Sequence, residues 1–146
     1  MTEYQTVDVL LVEDSDADAE MILRALRKGG LVNRIARLHD GVEALNFIFR
    51  EGTYAARNSE QPKLILLDLK MPRLGGIDVL RRLKSNVDTK IIPVVMLTSS
   101  AEERDIVECY RLGLNSYLVK PVNFSSFTDV VVQAGLYWAV MNRLPN

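Results

Sequence analysis

The sequence has one cysteine, one histidine and one tryptophan among its 146 residues, and a formal net charge of only −1. A single thiol, Cys109, excludes an intrachain disulfide and is compatible with a reducing compartment. A near-zero net charge gives no general attraction to nucleic acid or to an anionic membrane. No apolar stretch is long enough to span a bilayer, and Met1–Thr6 do not form a signal peptide, so a soluble cytoplasmic protein is expected. Internal repeats, low-complexity tracts and a linker to a second domain are also missing. What remains is a chain 48% hydrophobic and 25% charged, ordinary for one compact globular domain with room for a core.

Five short apolar runs stand out: Val7–Val12, Leu31–Leu38, Lys63–Leu67, Ile92–Leu97 and Ser116–Val119. The first, third and fourth are nearly continuous in Val, Leu and Ile, the pattern of strands covered on both faces of a parallel sheet. The second is interrupted by polar residues, as suits an edge strand. Pro93 lies at the start of its run, where a missing N–H is tolerated.

Helix-period segments alternate with these runs. Asp16–Lys28 carries Ala19, Ile22, Leu23 and Leu26 on one face and stops at Gly29-Gly30. Asp40-Gly41-Val42-Glu43 reads as a capping box, with Asp40 as N-cap and Glu43 reaching back. Gly75–Lys84 and Ala101–Leu112 are further amphipathic helices, and a last one is expected from Phe124 to Asn142. Strand and helix alternate five times, which predicts an α/β doubly wound sandwich. The polar stretch Glu51–Pro62 reads as an extended surface loop.

In an open α/β sheet, ligands gather beyond the carboxyl ends of the strands. There the sequence places Glu13, Asp14 and Asp16 after the first run, Asp68 after the third, Thr98-Ser99-Ser100 after the fourth and Lys120-Pro121 after the fifth. Glu13, Asp14 and Asp68 brought together would repel one another unless a cation were present. Their oxygen-only donors suit Mg²⁺, which keeps waters and readily shares a phosphoryl oxygen. Lys120 supplies a positive charge and Thr98 a hydroxyl to a phosphoryl group, and a carboxylate is itself a competent nucleophile toward phosphorus.

Taken singly, these residues have simpler uses. Asp16, Asp18 and Thr98 could cap helices, Asp68 could be a turn residue, and Lys120 a solvated charge. Two other chemistries share parts of the pattern. Asp14-Ser15-Asp16 after a strand also fits the Asp-x-Asp of haloacid-dehalogenase-type phosphatases, but no second acidic pair or cap-sized insertion follows. A flavodoxin-like cofactor binder would need a phosphate loop where this chain has Glu13-Asp14-Ser15-Asp16.

The combination resembles the CheY-like receiver domains of two-component response regulators over essentially the whole chain. The matching pieces are Val9–Asp14, Leu64–Pro72, Val94–Thr98 and Tyr117–Pro121, supported by Asp40–Ala44 and by Gly76 after Met71-Pro72. The resemblance implies a flavodoxin-like (βα)5 fold with strand order 2-1-3-4-5, and residues 1–146 as a single receiver domain without an output domain. It implies Asp68 as the phosphoacceptor, charged by a sensor histidine kinase, with Lys120 and Thr98 assisting catalysis. Glu13, Asp14, Asp68 and the backbone carbonyl of Lys70 would hold Mg²⁺. Thr98 and Tyr117 would form the switch pair, and Lys120-Pro121 a cis peptide. Such a protein is a signalling phosphoacceptor with self-catalysed phosphotransfer and dephosphorylation, not an enzyme acting on an external substrate. The loop containing Tyr54 and the aromatic C-terminus are similar to small response regulators that partner bacterial phytochromes. Lys70 and Ser100, two residues beyond Asp68 and Thr98, flank the route of attacking water in receivers and are expected to set the phosphoryl lifetime.

The last helix has more apolar surface than one buried face needs. Phe127, Val130, Val131, Ala134 and Trp138 form a core stripe, leaving Val132, Leu136, Tyr137, Val140 and Leu144 outside it. A wide core stripe or a homodimer and partner interface on the face bearing the last helix and Tyr117 would each account for this. His39 lacks a second histidine nearby and reads as structural. Its place in a strand-end turn does not suit a histidine kinase or phosphotransfer domain.

Overall fold

A computed structural model of the chain describes residues 7–30, 34–99, 103–136 and 140. Five strands form one parallel sheet in the order 2-1-3-4-5. They are β1 (Val9–Val12), β2 (Ile35–Leu38), β3 (Leu64–Asp68), β4 (Val94–Thr98) and β5 (Ser116–Val119). Helices α1 (Asp16–Lys28), α2 (Gly41–Phe49), α3 (Gly76–Lys84), α4 (Glu103–Leu112) and α5 (Phe124–Gln133) fill the crossovers and follow the last strand.

The alternation of the strands sorts the core into two layers. Val9, Leu11, Leu64, Leu66, Val95 and Leu97 face Ile22 and Leu26 of α1 and Phe127 and Val131 of α5. Leu10, Val12, Ile65, Leu67, Val94 and Met96 face Phe47 of α2, Leu80 and Leu83 of α3 and Cys109 of α4. The three central strands are buried throughout, while the edge strands β2 and β5 are only half covered. This matches the apolar continuity of the first, third and fourth runs and the broken second run.

Several boundaries differ from the sequence expectation. β1 starts two residues late but ends at Val12 as expected, whereas β3 and β4 shift toward the carboxyl end, so that Asp68 and Thr98 are their final residues rather than the first residues after them. Leu31, Ser100, Ala101, Tyr137, Trp138 and Leu144 lie outside the described residues. The single helix expected from Phe124 to Asn142 is interrupted: α5 ends at Gln133, Val140 is again helical, and Asn142 lies outside the described residues. Gly135 takes a positive φ of 73° and its N–H donates to the Val132 carbonyl, which closes the helix. Val140, assigned outside the core stripe, is fully buried, whereas Ala134 is only half-buried. The turn after Gln133 brings the chain back onto the α1–α5 layer.

The stretch Glu51–Pro62 is more than a surface loop. It holds a 3₁₀ turn at Gly52–Tyr54 and buries Arg57, whose guanidinium donates to the carbonyls of Phe47, Ile48 and Glu60. The same guanidinium lies 4.2 Å from the centre of the Phe47 ring. The capping box at α2 also has a twist: Asp40 caps Glu43 N–H as expected, but Glu43 reaches back to His39 N–H.

Candidate functional site

The order of strands reverses between β1 and β3, so their carboxyl ends open a crevice at the switch point of the sheet. Glu13 and Asp14 leave β1 on one side of it and Asp68 ends β3 on the other. Carboxylate oxygens of Glu13, Asp14 and Asp68 lie within 4.8 Å of one another. Glu13 is 0%, Asp68 5% and Thr98 4% exposed, whereas Asp14 faces solvent.

Three backbone links hold the rim together. Leu69 N–H donates to the Leu97 carbonyl, Lys120 N–H to the Thr98 carbonyl and Gly76 N–H to the Leu69 carbonyl. Glycine is required at position 76, because a Cβ there would run into the Asp68 carbonyl oxygen. That close approach lets α3 begin directly against the end of β3.

Lys120, the residue directly after β5, closes the crevice, and its peptide bond to Pro121 is cis. Its Nζ lies 2.7 Å from Glu13 Oε1, 3.2 Å from Asp18 Oδ2 and 3.3 Å from Asp68 Oδ1. Burial works against the Lys120 ammonium, but Glu13, Asp68 and Asp18 outweigh it and hold the charge more firmly than in water. Asp68 is pushed the other way. Burial and then the Glu13 charge raise its carboxyl to about 7, against the pull of Lys120. Three carboxylates and one ammonium thus leave the pocket short of positive charge, which a hard cation bound by oxygen would supply. Glu13 Oε2 accepts from Ser15 N–H, and Ser15 in turn caps α1, so the acidic loop is fixed by its own hydrogen bonds.

The structure brings together Glu13, Asp14, Asp68 and Lys120, with Thr98 at the end of the adjacent strand. Lys70 lies exposed two residues past Asp68, in the loop before α3. Tyr117 sits half-buried on β5 with its ring edge-on to Tyr110, centroids 6.5 Å apart. His39 is an exposed side chain 3.3 Å from Glu43 Oε1. Two participants were not singled out for these contacts in the sequence. Asp18, read there as a helix-terminal acid, reaches Lys120. Arg37 on β2 grips the Glu13 carbonyl through Nε and Nη2 and Asp16 through Nη1. Each partner is far away in the chain, so no local motif announces it.

A doubly wound sheet with an acidic, lysine-closed crevice at its switch point is the architecture of a phosphorylation-driven signalling receiver. The chain belongs to the response regulator receiver domain family, whose sequence profile matches residues 9–132, and it is a receiver-type response regulator of two-component signalling. It is 39% identical over 137 residues to response regulator Rcp1 of Synechocystis sp., a match covering 94% of this chain and 92% of that protein. The solved structure of the bacteriophytochrome response regulator RtBRR is 45% identical, with a TM-score of 0.85 over 97% of this chain and 85% of its own. The Mn²⁺-bound form of Rcp1 is 37% identical and superposes with a TM-score of 0.74 over 97% of this chain and 100% of its own. Binding a divalent cation in an acidic pocket is a property of the family, and Glu13, Asp14 and Asp68 supply such a pocket here. Among the described residues no helix is long and apolar enough to cross a membrane.

Proposed function

We propose that Asp68 is the phosphoacceptor of this response regulator, taking its phosphoryl group from a phosphohistidine of a sensor histidine kinase. The observation that carries this is the placement of a buried carboxylate between the Glu13–Asp14 pair and the Lys120 ammonium. An Asp68 oxygen attacks phosphorus, the P–O bond forms as the P–N bond to the donor imidazole breaks, and the imidazole, which carries a proton on its other ring nitrogen, leaves neutral. Lys120, held in its charged form, meets the charge on the phosphoryl oxygens, and the Thr98 hydroxyl donates to one of them. The chain performs both transfer and hydrolysis on itself, without an external substrate.

The donor set fits Mg²⁺: Glu13, Asp14 and Asp68 would hold it through their carboxylates and Lys70 through its backbone carbonyl. When bound, Mg²⁺ neutralises the clustered carboxylates and draws charge from the phosphoryl group. Labelling with acetyl phosphate or kinase, with and without Mg²⁺, tests the assignment. Labelling is expected only with Mg²⁺, and none in Asp68→Asn; label persisting in that variant overturns it.

Thr98 and Tyr117 form the switch. On phosphorylation the Thr98 hydroxyl moves toward the phosphoryl group and the Tyr117 ring turns in behind it, away from Tyr110. The output is a changed surface on α4, β5 and α5, where Val107, Tyr110, Val119 and Val132 are exposed apolar side chains. We read this face as a homodimer and partner interface. The similarity to a bacteriophytochrome response regulator and to Rcp1 supports a phytochrome as the cognate kinase. A cytoplasmic location agrees with the lone reduced thiol and the lack of a membrane-spanning helix among the described residues.

A further inference from the structure

The acidic loop between β1 and α1 loses its strand partner at Glu13. Glu13 N–H still donates to the Leu38 carbonyl at 3.0 Å, continuing the β1–β2 ladder. The next bond of a parallel ladder would carry the Glu13 carbonyl to the N–H of Asp40. β2 has ended at Leu38, however. His39 N–H has turned to the Glu43 carboxylate, and Asp40 has become the N-cap of α2. Arg37 takes over the abandoned carbonyl. Its Nε and Nη2 donate to Glu13 O at 2.9 and 2.6 Å, and its Nη1 donates to Asp16 Oδ1 at 2.8 Å.

One planar guanidinium thus straps the loop at both ends, with Asp14 between them. The Arg37 side chain is 16% exposed and that of Asp16 87%, so water screens the Asp16 arm while the arm on Glu13 is sheltered. The hold on the Glu13–Asp14 peptide is therefore the stronger one.

We propose that Arg37 is a positioning residue for the divalent-cation site: by fixing the Glu13 carbonyl it keeps Glu13 and Asp14 aimed at the ion and sets the affinity. This rests on the reading of Glu13, Asp14 and Asp68 as the cation ligands. Its electrostatics make the inference sharp. A guanidinium beside a cation site repels the cation, so charge alone predicts tighter binding once Arg37 is removed. Positioning predicts the reverse.

The test is titration of the unphosphorylated protein with Mn²⁺, the free ion counted by electron paramagnetic resonance, at a temperature well below the melting transition. Wild type, Arg37→Met, Arg37→Lys and Asp14→Asn are compared. Arg37→Met and Arg37→Lys are each expected to weaken Mn²⁺ binding by ~10-fold, the lower end of the cost of removing an outer-shell partner. Lysine keeps the charge but not the two-pronged grip, so its failure to rescue is part of the expectation. Unchanged or tighter binding in Arg37→Met, or wild-type affinity in Arg37→Lys, overturns the inference. Should Arg37→Met fail to fold, Arg37→Lys decides alone. Wild-type affinity in Asp14→Asn instead overturns the underlying assignment of the ligands, so the two failures are separable.

Discussion

At the scale of single residues, the pocket is built around a carboxyl that resists ionisation. Asp68 has its folded-state value raised to about 7 by burial and by Glu13, above its value in the unfolded chain. Between the two values the folded protein holds a proton that the unfolded chain has released. Stability of the metal-free protein is therefore expected to fall as pH rises from about 4 through about 7, the interval between the ordinary aspartate value and the raised one. Asp68→Asn removes this slope, and saturating Mg²⁺ opposes it by favouring the ionised form. Melting temperature against pH, in chelator and in Mg²⁺, checks the sign; a metal-free wild type with the same slope as Asp68→Asn contradicts it. Glu13, Asp14, Asp68, Thr98 and Lys120 were all legible as candidates, because each stands where an apolar run ends. Arg37 and the reach of Asp18 were not. Arg37 recognises a backbone carbonyl, which has no sequence signature, and Asp18 meets a lysine 102 positions away.

At the scale of elements, periodicity gave the type of the five strands and of α1–α5 but not the 3₁₀ turn at Gly52–Tyr54, and geometry moved their ends. The strands run on to include Asp68 and Thr98 because the backbone stays hydrogen-bonded to its neighbours there, whatever the polarity of the side chain. The last helix ends early because apolar periodicity continues through a glycine whose backbone has already turned. The Glu51–Pro62 segment reads as polar throughout, yet the guanidinium of Arg57 is consumed by carbonyls at the end of α2. Arg57→Met keeps much of the bulk but removes those donors. Phe47 and Ile48 carbonyls retain weaker or alternative partners in Arg50 N–H and Gln61 Nε2, which limits the damage. The expected loss is ~1–3 kcal/mol in denaturant unfolding, with phosphoryl labelling of Asp68 retained in the folded variant. A loss below a few tenths of a kcal/mol would mean that the segment is not anchored by this residue.

At the scale of the whole molecule, the sheet separates two jobs. Its two buried layers maintain the fold, and its carboxyl rim carries the proposed phosphoacceptor site. The exposed apolar side chains on α4, β5 and α5 lie outside both layers, around the strand that carries Tyr117 and leads into Lys120. Sedimentation velocity across a wide concentration range, with and without a beryllofluoride phosphoryl mimic, is expected to show association strengthened by the mimic and weakened by Val132→Glu. A strict monomer under both conditions removes the homodimer from the reading.

The rim has one more consequence, which concerns the order of synthesis. Glu13, Asp14 and Asp68 leave the ribosome well before Lys120, and the lysine reaches them only when β5 has docked on β4. A growing chain therefore carries Asp68 for the time of some fifty further residues without the ammonium that completes the pocket. Placing that lysine directly after the last strand of the sheet makes completion of the pocket depend on β5, so a chain that has not yet reached position 120 lacks the ammonium that closes it.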